Sequence, residues 1–348
     1  MFDHLLGNQR VKDILRRMLS VGRTPGALLF VGEDGVGKKL FALEIAKALN
    51  CRTPVGVEAC DQCSSCVRIN QSKFPEYSDD KDNKERLVRS DHPDVLLARP
   101  FTRVLRIGPM REIEQEANYR PFEGRARVFI IEEANRLNES SSNALLKTLE
   151  EPPVSSHLIL ITSRPAQLLP TIRSRCQVVR FAPLAPSEIE AHLLKGKQVS
   201  PVDARLLSRV ARGSIGRALS TDLENYRVQR EAMMEVVNAL SLTHDRARLL
   251  RASEEMNDAK HKDQYEPRLD VLATIIHDVW ALALGATDEQ VINQDLRPQL
   301  SKVASSLEGS SSRASRWLSR IEQHRRGLDV NINRKIATDA LFLTMAEA

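Results

Sequence analysis

Two clusters of residues have the types and spacing to do chemistry. The first is Gly32-Glu33-Asp34-Gly35-Val36-Gly37-Lys38, followed by Lys39. Glycines at 32, 35 and 37 let backbone N–H groups turn inward around phosphate oxygens, and Lys38 reaches the terminal phosphates of a nucleotide. The residue after that lysine is normally Ser or Thr, whose hydroxyl ligates Mg2+. Lys39 cannot ligate a metal and repels one, so Mg2+ and efficient hydrolysis are not expected, although the glycines and Lys38 remain compatible with ATP or ADP. The second cluster is Cys51, Cys60, Cys63 and Cys66, spaced C-x8-C-x2-C-x2-C. With no export signal at Met1-Phe2-Asp3-His4, it reads as a metal set rather than disulfides. Four thiolates wrap a tetrahedral, structural Zn2+ and leave no position open for catalysis.

Further candidates follow apolar runs. Glu132-Glu133-Ala134 comes after Val128–Ile131. In working phosphate-loop ATPases an Asp at the first position helps hold the metal and a Glu at the second polarises the attacking water. Glu132 is one methylene longer than that Asp, while Glu133 keeps the second function. Thr162 and Ser163 end another apolar run, where a hydroxyl can sense a γ-phosphate. Arg175, in Ser174-Arg175-Cys176, reads as an exposed arginine able to enter a neighbouring subunit's site and neutralise charge on a transferred phosphoryl group. Arg217 opens a helix placed to swing over a nucleotide. Taken singly, Thr162, Arg175 and Arg217 also read as a strand-end hydroxyl and two surface charges.

These residues need rigid elements behind them. The runs Ala27–Val31, Val128–Ile131 and Leu158–Ile161 alternate with helical patterns such as Lys39–Leu49 and Ser141–Leu149, which predicts an α/β fold with a parallel sheet flanked by helices. Strand signals stop near Pro183, and Pro186-Ser187-Glu188 reads as a capped helix start. The expected organisation is a nucleotide-binding α/β domain over 1–183 carrying the cysteine module at 51–66, a small helical domain over 184–222, and a helical domain over 223–348 with polar breaks near 256–266 and 285–298. The charged stretch 72–90 and the serine-rich stretch 305–315 read as solvated loops.

Composition bounds the rest. The 348 residues are 42% hydrophobic and 28% charged, enough for a sizeable core and more than one domain. No apolar run reaches the ~18 residues of a membrane span, so a cytoplasmic protein without a membrane partner is expected. A net charge of +5 permits a nucleic-acid partner, and 4% aromatics argue against a base-stacking platform. Any DNA contact would go through phosphates, for which Arg99, Arg103, Arg106 and Arg111 form a basic stretch beyond the cysteines.

Taken together, Gly32 to Lys38, the four cysteines, Ile131-Glu132-Glu133-Ala134, the run from Asn143 to Glu150-Glu151-Pro152-Pro153 and Ser174-Arg175-Cys176 resemble the AAA+ subunits of bacterial DNA polymerase III sliding-clamp loaders, in their delta-prime branch. The match covers residues 1 to about 220, and Leu328–Asn333 before a last helix is similar to the family's final collar helix. The resemblance implies an AAA+ module with a helical lid and a C-terminal collar. It implies gamma/tau and delta subunits as partners in a hetero-pentamer that opens a sliding clamp and places it on primer-template DNA. It also implies a stator with a worn phosphate loop, whose Arg175 completes an ATP site on the adjacent motor subunit. The alternative within the family is an active gamma/tau-type motor. The stretch 72–90 departs from the family pattern and has no assigned role.

Overall fold

The computed structural model describes residues 1–22, 24–71, 87–101, 104–196, 199–258, 264–307, 311–328 and 333–347. The chain packs as two compact units, Met1–Lys197 with Ala211–Leu219, and Gln198–Val210 with Ser220–Ala348.

In chain order the first unit holds α1 (Gln9–Ser20), β1 (Ala27–Val31), α2 (Lys38–Asn50), α3 (Ser64–Gln71), β2 (Val88–Arg89), β3 (Val95–Ala98), α4 (Ile107–Ala117), β4 (Arg127–Ile131), α5 (Glu139–Glu150), β5 (Ser156–Thr162), α6 (Pro170–Arg173), β6 (Gln177–Arg180) and α7 (Pro186–Lys195). The strands form one sheet in the order β2-β3-β4-β5-β1-β6, parallel except where β2 runs antiparallel to β3. The three apolar runs read as strands are β1, β4 and β5, and the two helical patterns are α2 and α5, each within two residues of the expected bounds.

These strands are continuous apolar runs because both faces are covered. Alternate residues go to opposite sides, as the two-residue period of a strand requires. Leu28, Phe30, Val128, Ile130, Ile159 and Ile161 share one core with Val11 and Leu15 of α1 and Phe41, Ala42 and Ile45 of α2. Leu29, Val31, Phe129, Ile131, Leu158 and Leu160 share the other with Met110 and Ile113 of α4 and Leu145 and Leu149 of α5. Of the charged stretch 72–90, residues 72–86 lie outside those described. Its end is not a loop: Leu87 is buried and Val88–Arg89 form the edge strand, with Arg89 paired to Glu116 at 2.8 Å. A two-residue edge carrying an ion-paired arginine offers little template for another chain.

The chain then continues with α8 (Pro201–Val210), α9 (Ile215–Ser220), α10 (Leu223–Asn238), α11 (Arg246–Met256), α12 (Tyr265–Ala283), α13 (Arg297–Ser306), α14 (Ser311–Leu328) and α15 (Arg334–Glu347). The second unit, α8 with α10 to α15, is a helical bundle around Tyr265, Leu272, Ile276, Trp317 and Phe342. The buried Trp317 donates its indole N–H to the Met345 carbonyl at 2.7 Å, which fixes α14 against α15. The polar break expected at 285–298 is real, and it is held by the fully buried Asp278, whose carboxylate accepts the backbone N–H groups of Ile292 and Asn293 at 2.9 and 2.8 Å. The serine-rich stretch differs from expectation. Ser305 and Ser306 end α13 and Ser311 to Ser315 begin α14, while 308–310 lie outside the described residues. Within the helix a serine hydroxyl can bond back to a carbonyl of the preceding turn, as Ser315 does to that of Ser312 at 2.9 Å. Residues 329–332 of the tail, 259–263 of the first polar break and Arg103 also lie outside the described residues. Among the described residues no helix is long and apolar enough to cross a membrane.

One buried titratable group couples this sheet to pH. His157, on β5, donates from Nδ1 to the Pro25 carbonyl at 3.2 Å, and burial holds its pKa below the usual value. The unfolded chain protonates this ring near pH 6.5 while the folded chain keeps it neutral, so the unfolded state binds more protons as pH falls. Stability is therefore full above about pH 6.5 and declines below it, by at most about 1.4 kcal/mol per pH unit for one such group. Thermal unfolding should show a lower midpoint at pH 5.5 than at pH 7.5, with a smaller difference in His157→Gln.

Candidate functional site

The loop between β1 and α2 has the context that the glycine pattern requires. Its first amide, Gly32 N–H, donates to the Thr162 carbonyl at 3.2 Å, so the loop leaves the sheet bonded to the end of β5. Gly35 and Gly37 adopt φ of 77° and 97°, left-handed conformations that other residues rarely adopt, and Gly37 is the N-cap of α2. A side chain at Gly35 would also collide with Ser214, since an added Cβ would lie 2.2 Å from its Oγ. The Gly216 N–H donates to the Gly35 carbonyl at 2.9 Å, which joins the loop tip to the start of α9. The buried Lys38 ammonium donates to the carbonyls of Gly32 and Glu33 at 2.5 and 2.6 Å, with an Asp34 oxygen at 3.7 Å. Burial lowers its pKa.

A cavity of about 710 Å³ opens beside this loop, a size that suits a nucleotide-sized ligand. Its walls include Gly35, Gly37, Lys38 and Lys39, then Glu132 and Glu133 after β4, Thr162 at the end of β5, His192 on α7, and Ile215, Gly216 and Leu219 on α9. The sheet thus brings together the loop glycines, both lysines, the two acids and Thr162. Arg217 lies on α9 but outside the residues that line the cavity, and Arg175 stands elsewhere.

Several polar side chains in and beside the cavity are already paired. Lys39 Nζ lies 3.0 Å from Glu132 Oε1. Sequence reasoning treated these as two separate departures from a phosphate-loop pattern and missed that they pair. The available signal was that the departures carry opposite charge at positions that ordinarily share one metal ion. Glu133 sits at φ 46°, a left-handed conformation uncommon for a non-glycine residue, and its carboxylate meets Arg136 Nε at 2.7 Å. Thr162 donates its hydroxyl to Asn135 at 2.9 Å and accepts the Arg164 N–H at 3.0 Å, and Ser163 donates to Asp34 at 3.0 Å.

Arg175 follows the short helix α6. Its guanidinium donates to Glu150, the last residue of α5, at 2.6 Å and to the Thr171 carbonyl at 3.0 Å, and its side chain is 34% exposed. The neighbouring Cys176 is buried, which pushes its thiol up to about 12.

The four clustered cysteines converge between α2 and α3. Their sulfurs all lie within 4.8 Å of one another. A tetrahedral zinc with bonds of ~2.3 Å needs sulfurs roughly 3.8 Å apart, so a small contraction suffices. The backbone already points donors at them: Cys60 N–H lies 3.3 Å from Cys51 Sγ, and Cys63 N–H 3.2 Å from Cys60 Sγ. The Thr53 hydroxyl and nearby backbone N–H groups pull the Cys60 thiol down to about 6, whereas burial pushes Cys51 and Cys66 up.

Known proteins resemble this chain along most of its length. The family model described as DNA polymerase III, delta subunit, matches residues 7–185, and that of the C-terminal region of the same subunit matches 227–345. The delta' subunit of DNA polymerase III from Bacillus subtilis is 28% identical over 341 residues, covering 97% of this chain and 96% of that protein. The Escherichia coli delta' subunit is 28% identical over 294 residues, or 84% of this chain and 80% of that one. The tau subunit of Salmonella typhimurium is 34% identical over 264 residues, 74% of this chain, but the chain spans only 38% of tau. With a family model covering its α/β unit and delta' relatives matched nearly end to end, this chain belongs to the DNA polymerase III delta subunit family.

Proposed function

We propose that this chain is a delta'-type subunit of a DNA polymerase III clamp loader, acting as a stator rather than as a motor. The observation that carries the assignment is the similarity to the Bacillus subtilis delta' subunit over 97% of the chain. In this reading residues 1–183 are an AAA+ module, 184–222 a lid and 223–348 a collar that joins gamma/tau and delta subunits in a cytoplasmic hetero-pentamer. The assembly opens a sliding clamp and loads it on primer-template DNA.

The Lys39–Glu132 ion pair supports the stator half of the proposal. The two residues that would share Mg2+ neutralise one another instead, and Glu133 is paired with Arg136. ATP turnover in this pocket then lacks both the metal site and a free general base. Arg175 has the exposure a trans-acting arginine needs. On assembly its guanidinium would exchange the Glu150 carboxylate for the phosphates on a neighbouring subunit, an exchange that keeps the guanidinium paired and leaves the half-exposed Glu150 carboxylate to water. The cysteine set fits Zn2+, with Cys51, Cys60, Cys63 and Cys66 as ligands and backbone N–H groups supporting the sulfurs. When bound, Zn2+ would cross-link the segment between α2 and α3.

The isolated chain should hydrolyse ATP negligibly. In the reconstituted loader, Arg175→Ala should lower turnover at the site it completes by about 10³-fold or more while the pentamer elutes unchanged. Unaltered turnover would remove Arg175 from that role, and brisk Mg2+-dependent hydrolysis by the lone chain, lost in Lys38→Ala, would favour a gamma/tau-type motor. Elemental analysis should find one zinc per chain, and Cys60→Ser or chelation should lower the thermal midpoint of the first unit. A chain that purifies metal-free with an unchanged midpoint would exclude the zinc assignment.

A further inference from the structure

We infer that the cavity beside Gly32–Lys38 binds a nucleoside diphosphate or triphosphate without a divalent metal, with the Lys39 ammonium serving as a fixed cation in place of Mg2+. The inference rests on the reading of Gly32–Lys38 as a phosphate loop. It goes further by giving the altered residues a binding function in place of a loss.

The argument is electrostatic. Where a phosphate loop carries a hydroxyl and an acid, the pocket without metal holds an uncompensated carboxylate, which repels phosphates until Mg2+ neutralises it. Here the hydroxyl is replaced by an ammonium that lies 3.0 Å from the acid, so the acid is compensated from within the chain. Both side chains are partly exposed and both line the cavity. They therefore face a bound phosphate rather than the core. The rest of the cradle is intact: Gly35 and Gly37 hold the left-handed turns that aim loop N–H groups, Gly37 caps α2, and Lys38 is present. Lys38 is bonded to loop carbonyls that an incoming phosphate oxygen can replace with a charge-assisted bond. A nucleotide held this way has no metal to polarise it and no free base near it, and so persists as a structural ligand.

The experiment titrates fluorescently labelled ADP and ATP against the full chain in EDTA and in Mg2+. Binding should be as tight in EDTA as in Mg2+, within about twofold. Lys39→Ala should weaken it by about tenfold or more in EDTA, the scale of one lost ionic contact of about 1.4 kcal/mol. Glu132→Gln should retain or tighten it, because the competing carboxylate is gone. The double variant Lys39→Thr with Glu132→Asp should make binding Mg2+-dependent, a gain that misfolding cannot mimic. Binding that requires Mg2+ in the unaltered chain, or no binding in either condition, would overturn the inference. A chain that fails this test yet still assembles with gamma/tau and delta subunits leaves the clamp-loader reading standing, whereas failure to assemble strikes that reading alone.

Discussion

The parallel pairing of β1 with β5, with Val31 opposite Thr162, is the constraint on which the α/β unit depends. It delivers the Gly32–Lys38 loop from one strand and Thr162 from the next at the same level, and the Gly32-to-Thr162 hydrogen bond carries the register one residue past the sheet. Pairing of β4 with β5, Ile131 opposite Leu160, sets Glu132 and Glu133 beside them. In an open parallel sheet the carboxyl ends of the strands are where backbone leaves the ladder and side chains become free to converge. A slip of one residue in any of these pairings would turn apolar side chains from one covered face to the other and separate Lys39 from Glu132.

Two buried polar side chains extend this order to the other end of the sheet. Asn50, the last residue of α2, accepts the N–H groups of Arg125 and Ala126 just before β4, at 2.9 and 3.0 Å. Asp94, just before β3, accepts those of Phe122, Glu123 and Gly124 at 2.6, 3.0 and 2.8 Å. Each carboxamide or carboxylate satisfies several backbone donors that burial would otherwise leave unpaired. The helix that begins at the Gly32–Lys38 loop therefore ends anchored to the strand that leads into Glu132 and Glu133, and Cys51 follows directly from that anchor.

Much of this was legible in the sequence because the signals are local. The three central strands announce themselves as apolar runs, the loop by its glycines, and the convergence of four sulfurs by cysteine spacing. What was not legible depends on partners distant in the chain. Nothing near Lys39, on α2, shows that Glu132, just after β4, compensates it, and nothing near Arg175 shows that Glu150 holds it. The edge strand at Val88–Arg89 was hidden in a charged stretch because its pairing, not its composition, makes it a strand. The helix at Ser311 was hidden because serine serves equally in loops and in first helical turns.

Cys176 sits beside Arg175, and its setting differs from that of the other four cysteines. Its thiol is buried and pushed up to about 12, so at neutral pH it carries almost no thiolate, the form that oxidants and alkylating agents attack. Cys60, partly exposed and drawn down to about 6, is its opposite. The chain thus sets its sulfurs apart by location: the turn that presents Arg175 is backed by a buried thiol held protonated, while at the α2–α3 module the Thr53 hydroxyl and backbone N–H groups favour the thiolate of Cys60, the form in which a cysteine ligates metal.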